Sequence, residues 1–414
     1  MELLIHFTKH EVTDMGEKKK FLAGFLTGIV LTAMVGIIGC VGMTDWDLEQ
    51  SSKEGTLLSS EHLEKLEYIE SLVDKYYLNE ADTEKMAEGM YAGALEGLED
   101  PYSRYYTKEE YESISEETEG HYEGIGVVMQ QDEQGLVHFV RIYEGAPGDK
   151  AGLKAGDILY EVDGESIVDD ELAQVAKKIR NPETETVKLT ILREGKSDYL
   201  EFEIEKEDVQ IPVVSHEMLD NHVGYLAIYE FTSVTFEQYQ KAFEDLQNQG
   251  MERLVVDLRD NPGGLLDSVC SILETILPKG TIVYMEDKYG NRQERSCKGD
   301  SPLEIPLAVL VNGNSASASE IFSGAVQDYG IGTIVGTTTY GKGVVQTVRK
   351  LSDGSAVKLT ISNYYTPSGN SINGKGITPD VEVELDETLK QQNSITKEED
   401  NQLQKAIEVV CEEK

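Results

Sequence analysis

Two stretches of the chain follow one plan, and that plan limits the fold more than any other feature. LVVDLRDNPGGLLDSV at 254–269 and LAVLVNGNSASASEIFSGAVQDYG at 307–330 each run from an apolar strand, through a turn of small and polar residues, into a helix. Strands this uniformly apolar belong inside a sheet covered on both faces, and successive strand–turn–helix units place their turns at one sheet edge. A site built between the turns at 261–264 and 312–317 is the natural reading. A third stretch, GTTTYGKGVVQTV at 336–348, puts Lys342 between two glycines, ahead of a further strand.

The second turn offers Ser315, Ser317 and Ser319. A serine at a helix N-terminus lies against oriented amides that can stabilise a developing oxyanion. Ser317 with Glu320 three residues on also fits a capping box, so it could simply cap its helix. The seven histidines all fall outside the glycine-rich turns, which leaves a serine–histidine–aspartate triad without its second member. Lys342 is the alternative base, and a lysine serves only if its pKa falls from ~10.4 toward ~7–8 through desolvation or a neighbouring positive charge. Two other patterns are decoys. Residues 336–342 imitate a phosphate-binding loop, but Gly343 stands where a magnesium-holding hydroxyl is needed and a strand follows. Ser355 and Lys358 lie in a strand, where positions three apart point to opposite faces.

The rest of the chain reads as the means of bringing a polypeptide to this place. Its 37 basic and 77 acidic residues, a formal charge of −40, repel nucleic-acid phosphates, so DNA and RNA are excluded as partners. The four cysteines are too scattered for a disulfide framework, and none shows metal-ligand spacing. After Lys18, Lys19 and Lys20, FLAGFLTGIVLTAMVGIIGCVGM at 21–43 carries no charge and is long enough to cross a bilayer with the N-terminus inside. The alternative is a signal peptide whose Ile37-Ile38-Gly39-Cys40 resembles a lipobox, making Cys40 a lipidation candidate. Met15 is an alternative start. Helical spacing then predicts amphipathic helices over 61–78 and 82–98, expected to pack on the following domains or to self-associate. Thr235 and Gln238 have capping-box spacing at the head of a helix stopped by Gly250.

From 121 to 208 the pattern changes to short strands around GIGVVM at 124–129 and EGAPGDKAGLKAGDILYEVDGE at 144–165. This succession resembles a PDZ domain of the bacterial protease-associated kind. The resemblance implies that the amides around Gly124, Ile125, Gly126 and Val127 bind a terminal carboxylate while the bound tail adds a strand to a sheet edge.

NPGGL at 261–265, VNGNSASASEIFSGAVQD at 311–328, YGKGVVQ at 340–346 and GKGITPDVEVE at 374–384 together resemble the carboxyl-terminal processing peptidases, or tail-specific proteases. The resemblance implies Ser317 as nucleophile, Lys342 as general base, Gln346 orienting that lysine, and the amides of Gly263 and Ala318 as the oxyanion hole. It implies no metal or organic cofactor, and partners that are proteins or peptides with free C-termini. Arg180, at the end of the PDZ-like helix, is a candidate regulatory contact to the dyad.

The fold class expected is mixed α/β in a membrane-anchored, multidomain chain, with a PDZ-like β-rich domain inserted before a protease core of repeated strand-strand-helix units. The boundaries are a cytoplasmic segment at 1–20, a transmembrane anchor or signal at 21–43, a linker at 44–60 and a helical region at 61–120. The PDZ-like domain follows at 121–208, the peptidase core at 209–385, and an acidic tail with a C-terminal helix at 386–414. The expected setting is the bacterial cell membrane, with the catalytic part outside the cytoplasm and a homo-oligomer among the assemblies compatible with it. The rival reading is a catalytically silent scaffold that binds C-terminal tails through its PDZ domain.

Overall fold

The structure is a computed structural model that describes residues 56–412 except 133, 391, 393 and 394. The expected membrane segment at 21–43 and Cys40 lie outside the described residues. Among the described residues, no helix is long and apolar enough to cross a membrane. The described chain divides into a larger unit, residues 112–346 with 361–412, and a smaller one, residues 56–111 with 347–360.

The smaller unit holds helices α1 (Ser60–Tyr76) and α2 (Thr83–Glu96) and strand β1 (Arg104–Tyr106). Strand β1 pairs antiparallel with residues 356–358. Its core is aromatic: Tyr105 and Tyr106 are buried, Tyr91 packs against Tyr105 with ring centroids 5.5 Å apart, and the buried Lys358 ammonium lies over the Tyr106 ring. The two helices form where periodicity predicts them. Neither buries a residue, and the stripe Leu63, Leu66, Ile69 and Leu72 of α1 stays exposed.

Helix α3 (Lys108–Glu119) leads into β2 (His121–Gly124), β3 (Val127–Gln131), β4 (Val137–Ile142), helix α4 (Pro147–Ala151), β5 (Ile158–Val162), β6 (Glu165–Ser166), helix α5 (Leu172–Ile179), β7 (Thr186–Leu192), β8 (Leu200–Glu205) and β9 (Glu207–Gln210) of the larger unit. Strands β3-β4-β5-β7-β8 form a sheet in that order, with β6 beside β5, while β2 and β9 pair separately. Alternate residues Val187, Leu189 and Ile191 of β7 enter one apolar core with Val175 and Ile179 of α5. Strand β3 is an edge of this sheet, and α5 packs beside it.

The remaining elements are β10 (Val214–Leu219), β11 (Val223–Ile228), α6 (Thr235–Asn248), β12 (Arg253–Asp257), α7 (Leu266–Leu273), β13 (Gly280–Asp287), β14 (Arg292–Cys297), β15 (Leu307–Val311), α8 (Ala318–Tyr329), β16 (Thr333–Gly336), β17 (Val344–Lys350), β18 (Ala356–Tyr365), β19 (Val381–Glu382) and α9 (Asn401–Glu412). A six-stranded sheet runs β10-β11-β12-β15-β16-β19, parallel throughout except for the antiparallel edge strand β10. Its two faces explain the unbroken apolar runs. Leu254, Val256, Leu307, Val309 and Val311 pack with α6, α7 and α8, whereas Val255, Ala308 and Leu310 meet Leu403, Ala406 and Val410 of α9. The C-terminal helix therefore docks as the second cover of the sheet.

One local expectation fails at α6. Thr235 and Gln238 do not form a capping box, because both side chains serve the neighbouring backbone instead. The Thr235 hydroxyl accepts the Thr232 amide at 2.7 Å and donates to the Glu230 carbonyl at 2.8 Å. Gln238 accepts the Val213 and Val214 amides at 2.9 and 3.2 Å and donates to the Ile211 carbonyl at 2.9 Å. A side chain that ties α6 to the start of β10 and the residues before it satisfies three part-buried backbone groups, against the single amide that a cap would satisfy.

Candidate active site

Parallel pairing of β12 with β15, Asp257 opposite Leu310, brings the turns that follow them to one edge, as the repeated plan requires. The turns are then sewn together. The Ser315 hydroxyl donates to the Leu258 carbonyl at 2.7 Å, and the Ala316 amide and Ser319 hydroxyl both donate to the Asn261 carbonyl, at 3.1 and 3.0 Å. A Cβ on Gly263 would lie 2.8 Å from Cβ of Ser317 and 2.9 Å from the amide nitrogen of Ala318, so only glycine allows this approach.

These contacts sort the three serines. Ser315 and Ser319 are fully buried with their hydroxyls committed to carbonyls, whereas Ser317 retains 8% of its surface. Ser317 also sits at φ 53°, ψ −111°, a backbone conformation rarely adopted by an L-residue, between the strand end and helix α8. Strain of this kind persists only where the surroundings over-determine it, and here the paired turns do so.

Glu320, read from sequence only as a capping partner, is the link between the serine and the lysine. Its fully buried carboxylate accepts four hydrogen bonds: from the Ser317 amide at 2.9 Å, the Lys342 amide at 2.8 Å, the Gly341 amide at 2.7 Å and the Thr339 hydroxyl at 2.5 Å. One oxygen, Oε2, receives both the Ser317 and the Lys342 amides. Burial pushes the Glu320 carboxyl above its ordinary range, and the four donors oppose that push. The lysine turn is held further by the Tyr340 amide on the Ser315 carbonyl at 3.0 Å and by the Tyr364 hydroxyl on the Lys342 carbonyl. Lys342 itself is fully buried. No sequence signal short of a four-donor count could have shown Glu320 reaching 22 residues down the chain.

Two other expected residues stand differently. The Gln346 side chain is buried, and its amide donates to the Val344 carbonyl at 3.2 Å. The Gly263 amide donates to Oδ1 of Asn261 at 2.8 Å, closing a turn within its own strand end, and the Gly263 carbonyl accepts the Phe231 amide at 2.8 Å. Gly263 thus lies beside Ser317, but its N–H is engaged by Asn261 in this structure. Ala318 is the first residue of α8, where amides have no partner inside the helix.

In the β-rich part, Gly124 ends β2 and Val127 begins β3. Carbonyls hold the intervening turn: Ile125 accepts the Gly148 amide and Gly126 the Tyr143 amide, both at 2.8 Å. Gly126, at φ 73°, faces Ala146 so closely that a Cβ would sit 2.2 Å from the alanine methyl. The Arg180 guanidinium bonds the Glu116 carboxylate at 2.8 Å and lies 4.5 Å from the Tyr122 ring centroid. These contacts reach α3, through Glu116, and the first PDZ-like strand β2, through Tyr122.

Comparison with known proteins agrees with this anatomy. The signature of peptidase family S41 matches residues 222–383, that of a PDZ domain residues 138–193, and that of the "activating protease CtpB N-terminal domain" residues 41–110. A carboxy-terminal-processing protease of Bartonella bacilliformis is 38% identical over 314 residues, 74% of this chain and 72% of that one. The chain belongs to peptidase family S41, among the carboxyl-terminal processing peptidases. A "Probable CtpA-like serine protease" of Staphylococcus epidermidis is 33% identical over 369 residues, 88% of this S41 peptidase and 73% of the relative. The crystal structure of an S41 protease from Bacteroides fragilis superposes with a TM-score of 0.50 at 18% identity, over 83% of this chain and 97% of that one, a likeness of fold.

Proposed function

We propose that this S41 serine peptidase cleaves polypeptides with a Ser317–Lys342 dyad after its PDZ domain has captured their free C-termini. The observation that carries the reading is the Glu320 carboxylate, one oxygen of which accepts the amides of both Ser317 and Lys342. Lys342, fully buried as a lysine base requires, takes the proton of the Ser317 hydroxyl as Oγ bonds to the scissile carbonyl carbon. The oxyanion faces the Ala318 amide and the Gly263 amide, which Asn261 must then share. The C–N bond breaks as Lys342 returns the proton to the leaving amine, and water, deprotonated by Lys342, releases the acyl group. Gln346, the third residue of β17, is assigned the orientation of Lys342, which stands two residues before that strand.

The tail enters as an added strand along edge strand β3, its carboxylate at the amides of the 124–127 turn, with α5 as the other wall. Arg180 is assigned the relay from that groove to the core, acting through Glu116. The apolar run at 21–43 supports tethering to a bacterial membrane with the catalytic part outside the cytoplasm, either by a retained span or through Cys40. The exposed apolar stripe of α1 supports self-association.

The test is cleavage of a protein with an apolar C-terminal tail by the full chain in detergent, against S317A, K342A and a substrate with an amidated tail. Loss of cleavage in both variants and a large rise in KM on amidation are expected. Tail binding by the parent chain without any cleavage would leave the silent scaffold as the better account.

A further inference from the structure

Arg259 lies two residues before Asn261, at the root of the turn that carries Gly263, and every N–H of its guanidinium is engaged. Nε bonds Asp257 at 3.0 and 3.1 Å, and Nη2 bonds Asp257 at 2.6 Å and Asp400 at 2.7 Å. Nη1 bonds Asp400 at 3.0 Å and Oε1 of Gln402 at 3.1 Å. The cluster is mostly buried, with side-chain exposures of 15% for Arg259, 8% for Asp257 and 11% for Asp400. Burial works against the arginine's charge, but the two carboxylates outweigh it and hold its pKa above the ordinary range. Tyr225 completes the group by donating to Asp257 at 2.9 Å.

Asp257 is two residues from Arg259 and would pair with it in almost any arrangement of this segment. Asp400 comes from the other end of the chain, 141 residues away, at the head of α9. We infer that Asp400 is a positioning residue for the peptidase reaction: it fixes Arg259, and with it the 258–264 turn, against the serine turn. The inference rests on the assignment of Ser317 as nucleophile. The mechanical route is short. The Leu258 carbonyl receives the Ser315 hydroxyl, the Asn261 carbonyl receives Ala316 and Ser319, and the Asp260 carboxylate receives the side-chain amides of Asn312 and Asn314 at 3.0 and 2.8 Å. Residues on either side of Arg259 therefore hold the serine turn, and a bidentate pair to a docked helix stops that arm from pivoting.

Asp400 has a second duty that the test must separate. Its Oδ1 accepts the amides of Gln402 and Leu403, at 3.1 and 3.0 Å, as the cap of α9. Asp400→Asn keeps a good cap but loses the charge-assisted pair. With the full chain and a tail substrate, D400N is expected to lower kcat about tenfold at unchanged KM, since displacements of an ångström or less at reacting groups carry effects of that size. Hydrogen exchange should quicken at 258–265 while α9 keeps its protection. Wild-type kcat with unchanged exchange at 258–265 would overturn the inference. If D400N loosens α9 as well, the exchange pattern decides: protection lost in 400–412 alone, with 258–265 unchanged, overturns it. Because exchange at 258–265 needs no turnover, this outcome is independent of S317A, which tests the dyad itself.

Discussion

At the scale of single residues, the site combines a strained serine with a carboxylate that has no catalytic atom of its own. Ser317 at φ 53° pays for its exposure in backbone strain of about 1–3 kcal/mol. Ser317→Gly should therefore raise the thermal midpoint while abolishing cleavage, whereas S317A abolishes cleavage without that gain. A glycine variant no more stable than the alanine one would mean that the turn is not strained. Glu320→Gln tests the link: each carboxylate oxygen accepts two donors, so two of the four would face an amide NH2, and a buried donor left unsatisfied costs about 1–3 kcal/mol. Both stability and kcat should fall, and an active, fully stable E320Q would show that the serine and lysine turns hold each other without it.

Glu230 carries a pH dependence whose sign can be worked out. Burial first, then the nearby Glu117 carboxylate, pushes its pKa up to about 7 from the ordinary 4.5. Between those values the folded chain holds a proton that the unfolded chain has released, so this group favours folding below pH 4.5 and loses that contribution as pH rises through 7. Glu230→Gln should raise the thermal midpoint at about pH 8 and change it little at about pH 5. Equal shifts at both pH values would place the origin elsewhere. Glu230 immediately precedes Phe231, which bonds Gly263 and Leu265, so the measurement also reports on the segment beside the glycine turn.

At the scale of elements, apolar runs and turn chemistry were legible because they are local. The serine helix, the strand after Lys342, the PDZ-like alternation and the C-terminal helix all form where their residues indicate. What stayed hidden depends on side chains reaching across the sequence. Thr235 and Gln238 have the spacing of a cap, yet the segment 211–214 claims Gln238, and only the packed structure shows that segment to be near. Glu320 was visible as a cap partner but not as the clamp on the lysine turn, and the engagement of the Gly263 amide by Asn261 needs a rotamer that sequence does not specify. The amphipathic stripe of α1 predicted a helix correctly, and the stripe stays exposed on it, since periodicity marks an apolar face without naming its cover. Helix α9 is the contrasting case, because its cover is visible. Leu403 is 1% exposed against Val223, Val255, Ala308 and Leu310, so Leu403→Ala should cost about 3 kcal/mol in urea unfolding. A loss below about 0.5 kcal/mol, the level of a surface substitution, would mean that α9 is only loosely attached.

At the scale of the whole molecule, the PDZ and S41 signatures lie along the chain in the order the motifs indicated, and charge is the property that sequence alone reports completely. A formal charge of −40 shapes which polypeptide substrates approach, whatever the fine structure of the site that receives them. A peptide ending in aspartates or glutamates meets a repulsive field on several charges, while an apolar tail meets it on its terminal carboxylate alone. Salt shortens the reach of that field, from about 30 Å at 0.01 M ionic strength to about 10 Å at 0.1 M. Raising NaCl from about 10 to about 200 mM should therefore increase kcat/KM several-fold for an acidic-tailed substrate, through faster association, and leave an apolar tail nearly unchanged. Equal responses of the two tails would mean that the acidic surface lies too far from the path of entry to be felt, and that selectivity resides in the pocket alone.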